Sequence, residues 1–552
     1  MAIAGSRSFW KFITILLGVT FLRVINVQAQ TITFNYFYRV YFRDKGEYTT
    51  AGYQPSDLLS QRALTRRQKA GIEVPDYKDL PVNKDYLNQI ISLGFSLHCT
   101  SHWMNTGLFK TVNEVDTVQL LSLPFVKGVK LVKRPVGKGT LRDKLLVTTE
   151  LNELPAFDNP VSLLNGQTLH NAGYDGKGIL IAILDGGFDQ ADIISSVDHV
   201  RSREGIKATH DFVLGNNFVY GYHIHGTAVL SVLAGLSTGD IEGSAPGADF
   251  CLIRTEDTYS EFPVEEDYWA AGAEYADSIG ADIISSSLGY FEFDDSTMNY
   301  KFADMNGHNT FVTLAAEAAA SKGILVVTSA GNERNTPWQR IIAPTDGDSV
   351  LSAGAVDGYN VIASFSSAGP SADGRIKPDN VAQGVSVPVQ IAMTSFTRSN
   401  GTSFSCPLLS GICACAMQAV PEALNMDLVK ALHENGDKAA HPDSLYGFGL
   451  PDMVKAIESL EYKYLSIPEN EAVIGPNPFT ENLKVLFREP PGSIEMGIYT
   501  ISGNAIVRRS YPDYISRTLD IDDLANSGQG LYIIRLKTAD KTFVFKVTRI
   551  NR

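Results

Sequence analysis

The chain has 552 residues, 44% hydrophobic and 20% charged, which is the composition of a globular protein and the length of roughly three to four domains. A formal charge of −14 excludes the basic face that nucleic-acid binding needs, and five cysteines are too few for a disulfide scaffold. No Cys/His spacing suits zinc; Cys406, Cys413 and Cys415 crowd one apolar stretch and read as small buried thiols. Taken from the start, residues 1–29 place Arg7 and Lys11 before an apolar run at 12–22, then Val27 and Ala29 before Gln30. That is the charged, apolar and small-residue order of a signal peptide. Arg23 ends the run well short of the ~20 residues that a membrane helix needs.

Residues 32–42 alternate, with Ile32, Phe34, Tyr36, Tyr38, Val40 and Phe42 on one face and Thr33, Asn35 and Arg39 on the other, as in a strand with one buried face. The basic stretch 61–69 reads as a solvated helix. A helix at 84–93 stopped by Gly94, strands at 95–99 and 108–112, a helix at 115–121 and a strand at 126–132 follow. This β-α-β-β-α-β order is the split βαβ arrangement, giving a small α+β domain over 30–140 that closes on the basic linker 133–139. Directly behind a signal peptide such a module suggests a propeptide; a substrate-binding domain is the competing reading.

A second domain is expected over 145–462. Its apolar run 178–184 is the signature of a parallel strand covered on both faces, and it ends at Asp185-Gly186-Gly187. Similar units recur at 281–289 and 323–332, with helical stretches at 268–278 and 311–321 between them. Strand, loop and helix in repetition give an α/β fold with a doubly wound, mostly parallel sheet, whose functional groups sit at the carboxyl ends of strands. Asp185, Ser287, Leu288, Gly289 and Asn332 occupy such ends. Short strands at 483–487, 495–501, 505–509, 530–537 and 541–547, with no helical pattern between them, indicate a β-sandwich over 466–552.

The chemistry is expected where Gly401-Thr402-Ser403-Phe404-Ser405-Cys406-Pro407 opens a small-residue apolar helix. Pro407 is read as early in that helix, where a missing N–H costs least. Ser403 then stands at a helix N-terminus, which favours developing negative charge. A hydroxyl needs a base within reach, and the base needs a partner that fixes its tautomer. His225, opening the helix-like stretch His225-Gly226-Thr227-Ala228-Val229, and Asp185 complete the set. Alone, each has an ordinary reading as a cap, a turn or a core residue; three in the order Asp, His, Ser at the mouths of α/β elements do not.

On these residues the chain resembles the subtilisin-like serine proteases, which share that order. Further matches are Gly243-Ser244-Ala245-Pro246-Gly247-Ala248, Ser287-Leu288-Gly289, Ala330-Gly331-Asn332, Phe365-Ser366-Ser367-Ala368-Gly369-Pro370 and Tyr446-Gly447-Phe448-Gly449-Leu450-Pro451-Asp452. The resemblance spans about residues 150–460 and implies Ser403 as nucleophile, His225 as base, Asp185 as its orienting partner and Asn332 with the Ser403 N–H as oxyanion donors. It implies polypeptide substrates added as a strand along Ser287, Leu288 and Gly289. The family usually has Ser or Thr where Gly186 stands, and Met-Ala where Phe404-Ser405 stands. The segment 291–320 is longer than the compact family core. Asp294, Asp295, Asp304 and Asn306 within it fit no calcium loop and read as a solvated acidic loop, so no cofactor or metal is expected.

The N-terminal module resembles subtilase propeptides, which implies an intramolecular inhibitor. The C-terminal module, with residues 474–479 and 530–534 and a basic finish at 546–549, is similar to the sorting domains of Bacteroidetes type IX secretion. That implies passage through the periplasm and handling by the secretion machinery, ending as a secreted or cell-surface enzyme. Two rivals remain: a sedolisin-like acid protease, which uses Glu in place of His and is disfavoured by His225-Gly226-Thr227, and a catalytically silent surface-binding protein on the same fold.

Overall fold

A computed structural model describes residues 36–135, 145, 159–464, 472–475, 477–480, 482–525 and 527–550. The expected signal peptide, the start of the first strand and most of the basic linker lie outside these residues.

The N-terminal domain consists of β1 (Tyr36–Phe42), α1 (Gln61–Lys69), α2 (Lys84–Ser92), β2 (Ser96–Ser101), β3 (Thr106–Thr111), α3 (Val118–Leu121) and β4 (Val126–Lys133). Its strands pair antiparallel in the order β2-β3-β1-β4. Asn83 caps α2 by accepting from the Asp85 and Tyr86 N–H groups, and Gly94 beyond its end takes φ +95°. Tyr38, Val40 and Phe42 enter the domain's own core with Ile90, Phe95 and Phe109.

Two expectations fail here for one reason. Arg39, expected on an open face of β1, is fully buried, because that face lies on the central domain. There Phe37 packs with Phe262, Val264 and Tyr268. Helix α1, expected to be solvated, buries Arg66 and Arg67, which share the carboxylate of Asp277; Arg67 also donates to Asp79 at 2.6 Å. Asp277, the acid that the two arginines share, is over 200 positions away, so the local sequence does not announce the burial of the pair.

The central sheet has seven parallel strands: β5 (Leu180–Asp185), β6 (Ile206–Asp211), β7 (Asp249–Arg254), β8 (Ile283–Ser286), β9 (Leu325–Ser329), β10 (Val350–Val356) and β11 (Asn380–Gln383). Their order is β11-β10-β9-β8-β5-β7-β6. The principal helices are α4 (His225–Ala234), α5 (Val264–Ile279), α6 (Phe311–Ser321), α7 (Thr402–Ala419) and α8 (Asn425–Glu434). Alternation along β5 explains the layering. Ile181 and Ile183 face a core shared with α4 and α7, whereas Leu180, Ala182 and Leu184 face one shared with α5 and α6. The strand is apolar throughout because both faces are covered. After β5 the chain builds β6 and β7 on one side and then crosses to β8 on the other, so the connections diverge at the carboxyl ends of β5 and β8.

The C-terminal domain packs two antiparallel sheets. One contains β12 (Ala472–Gly475), β13 (Leu483–Phe487) and β16 (Thr518–Ile521). The other contains β14 (Gly492–Thr500), β15 (Ala505–Tyr514), β17 (Gly530–Lys537) and β18 (Thr542–Arg549) in the order β15-β14-β17-β18. Val485, Ile498 and Ile534 fill the space between them. None of the five cysteines is disulfide-bonded. Among the described residues no helix is long and apolar enough to cross a membrane.

Candidate active site

Asp185 ends β5 and is fully buried. Both its oxygens face Nδ1 of His225, the first residue of α4, at 2.9 and 3.0 Å. A carboxylate there requires the proton on Nδ1 and leaves Nε2 as the basic nitrogen. The Gly186 N–H donates to Asp185 Oδ1 at 2.7 Å, fixing the carboxylate from the main chain.

Ser403 is the second residue of α7, where N–H groups lack intrahelical acceptors. From 401 to 417 every residue is buried except Ser403. The preceding Gly401 takes φ +149°, a region that a side chain disfavours, and this sets the sharp entry into the helix. The Phe404 ring, next in the chain, lies 6.2 Å from the His225 ring, which brings the two helix starts together.

Helix α7 begins at Thr402, so Pro407 lies inside it and not in its first turn as expected. A proline there removes the bond to the carbonyl four residues back, which is that of Ser403. Ser287, just past β8, supplies the replacement: its hydroxyl donates to the Ser403 carbonyl at 2.9 Å. Leu288 is buried in the core below, and Gly289 leads into Tyr290, which pairs with Ala343. Asn332 follows β9 and is exposed; its Oδ1 accepts from the Thr402 N–H and Thr402 hydroxyl, both at 2.9 Å. Because a backbone N–H can only donate, the amide orientation is determined and its NH2 remains available as a donor.

Sequence reading missed Arg254. It ends β7 directly beside Asp185 in register, is buried, and donates through Nε to the Gly186 carbonyl at 3.0 Å and through Nη1 to Asp211 at 3.0 Å. Its guanidinium lies 3.9 Å from the centre of the Tyr222 ring, in the loop leading to His225. One cation thus ties together the segments that present Asp185 and His225. An arginine closing an apolar strand was the available signal.

Cys406 is not a competing nucleophile: burial pushes its thiol up to about 11. Asp294, Asp295, Asp304 and Asn306 each accept a bond from a nearby backbone N–H. Three other carboxylates, Glu256, Glu261 and Glu265, approach closely enough to share a cation. Glu265 already accepts from the Asp257 and Phe262 N–H groups, and Glu256 from the Tyr290 hydroxyl.

Residues 176–449 match the subtilase family. The chain belongs to that family of subtilisin-like serine proteases. The subtilase domain is preceded by a match to the Bacteroidota peptidase S8 propeptide domain at 37–144 and followed by one to the secretion system C-terminal sorting domain at 473–550. The sorting domain marks the protein as secreted or held at the cell surface. Similar proteins include the thermostable alkaline protease of Halalkalibacterium halodurans, 28% identical over 52% of this chain and 70% of its own. Subtilisin DY of Bacillus licheniformis is 29% identical over 47% and 84%, and subtilisin E of Bacillus subtilis 26% over 54% and 70%.

Proposed function

We propose that the protein is a secreted endopeptidase that cuts polypeptides through an acyl-enzyme formed on Ser403. The observation that carries this reading is the Asp185–His225 pair, buried and bonded through Nδ1, opposite the one partly exposed side chain of the α7 entry. Ser403 Oγ attacks the scissile carbonyl as His225 Nε2 takes its proton. Asp185 stabilises the imidazolium, which then protonates the leaving amine, and water repeats the sequence to release the acid. The Asn332 NH2 and the Ser403 N–H hold the tetrahedral oxyanion. Substrate lies as an added strand along Ser287, Leu288 and Gly289, and the prodomain blocks the cleft until it is cut away. The names of the relatives, all proteases, agree with this activity.

In the Ser403→Ala chain, peptide hydrolysis and labelling by a fluorophosphonate are both lost, and the precursor remains uncut. Labelling that persists in Ser403→Ala refutes the assignment.

A further inference from the structure

The volume of the side chain missing at Gly186 is taken by Leu145. A β-carbon on Gly186 would stand 2.5 Å from Leu145 Cδ1, 2.9 Å from Thr258 Cγ2 and 3.7 Å from Glu256 Cβ. The first two separations are well inside the ~3.5–4.0 Å at which carbon atoms pack. Gly186 is not among the residues with positive φ, so its backbone would accept a side chain. What a side chain there would meet is the end of the leucine and threonine side chains, not backbone. A leucine methyl therefore rests on the Cα of the residue next to Asp185, and Leu145 packs at the edge of the core formed by Leu184, Leu288 and Tyr290.

Leu145 belongs to the junction between domains. The propeptide match ends at 144 and the subtilase match begins at 176, and Leu145 lies between them. Gly186 directly follows Asp185, the partner of His225, so a side chain seated on its Cα lies beside the residues that carry the proposed chemistry.

We propose that Gly186, Thr258 and the Glu256 stem form a substrate subsite for a leucine side chain, that the absent Gly186 side chain gives it its depth, and that Leu145 fills it in the precursor. The proposal rests on the protease reading of the site and names its substrate class: polypeptides with leucine at one position close to the cut.

The test uses the secreted, matured wild-type enzyme and its Gly186→Ala variant on peptide pairs that exchange Leu for Ala at each of three positions on either side of the cut. The readout is the Leu/Ala ratio of kcat/KM within one enzyme, which cancels any effect of the substitution on Asp185. Wild type favours leucine about 10- to 100-fold at one position, and Gly186→Ala brings that ratio towards one while leaving the other positions unchanged. Leu145→Ala in an otherwise unaltered precursor slows maturation about tenfold or more, and this keeps the proposal testable if Gly186→Ala fails to mature. Equal ratios at every wild-type position, a leucine preference that survives Gly186→Ala, or unchanged maturation of Leu145→Ala overturns the proposal. Failure of the protease reading is distinct: it abolishes hydrolysis and fluorophosphonate labelling for every peptide.

Discussion

Arg39 measures how the prodomain is held. Its buried guanidinium donates to the two Asp267 oxygens at 2.8 and 2.7 Å and to the Pro263 carbonyl at 2.9 Å, and lies 3.5 Å from the centre of the Phe311 ring. Burial opposes the charge, but the Asp267 carboxylate outweighs it and keeps Arg39 protonated. Arg39→Ala removes the cation and leaves Asp267 and Glu266 buried at the interface without it. Removing one partner of a buried pair costs about 3–5 kcal/mol. At about 1.4 kcal/mol per decade, the docking equilibrium of the prodomain falls by roughly two to four orders of magnitude. The assay uses a Ser403→Ala precursor, which keeps the junction intact, and follows undocking in urea by the fluorescence of Trp103, buried at the interface, and by proteolytic nicking of the N-terminal domain. Arg39→Met with Asp267→Leu restores part of the loss, because that apolar pair needs no counter-charge while Glu266 keeps only its bonds from the Tyr300 hydroxyl and the Val312 N–H. A single-variant loss below about 1 kcal/mol, or a double variant as weak as the single, refutes this account of the interface.

Other consequences follow from individual contacts. Asn332→Ala lowers kcat by about 10²–10³ with little change in KM, read by steady-state hydrolysis, since the proposed mechanism assigns its NH2 to the oxyanion. Ser287→Ala leaves the Ser403 carbonyl without its donor and lowers the unfolding free energy by about 1–3 kcal/mol. Adding Pro407→Ala restores the helical N–H and recovers part of that loss in the same urea titration. At Asp379, burial would raise the carboxyl, but Lys377 at 2.7 Å and His433 at 3.1 Å outweigh it and hold it well below the usual range. A depressed carboxyl contributes stability that is complete above its unfolded value of about 3.9 and is lost as pH falls through the folded value. Stability therefore declines on acidification below about pH 4, and Asp379→Asn makes that decline shallower.

The parts of the fold that were readable were those in which a residue's environment follows from its neighbours in sequence. Helix α6 begins and ends at the expected residues, Phe311 and Ser321, because its alanine-rich pattern and the following Gly323 are local signals. The paired residues Asp185 and His225 could be singled out because each ends or begins an element with a recognisable pattern. Arg39, Arg66, Arg67 and Arg254 could not, since each is paired with a carboxylate or aromatic ring from another segment, Asp277 in the case of Arg66 and Arg67. Charge near a surface pattern looks solvated until its partner is placed. Strands β12 and β16 were missed for a related reason: each is only four residues long and is defined by its partner β13.

The departures from the family pattern share a physical logic. At Gly186, where the family has a hydroxyl, the main-chain N–H bonds the Asp185 carboxylate and Arg254 holds the carbonyl of the same residue. Ser405, in place of the usual alanine, donates to the Ala382 carbonyl at 3.2 Å, so its buried hydroxyl is satisfied. Phe404 is buried in the core beneath the helix start. Each change that would orphan a polar group near the site is matched by a partner from another element, so the geometry of Asp185, His225 and Ser403 depends on hydrogen-bond satisfaction more than on motif identity. Gly186 differs from the rest in one respect. Its hydrogen bonds are compensated, but its lost volume is filled by Leu145, a side chain from the domain junction. In the proposed reading, removing Leu145 from that volume leaves it to a side chain of the substrate, so selectivity changes there without disturbing the charge-bearing residues.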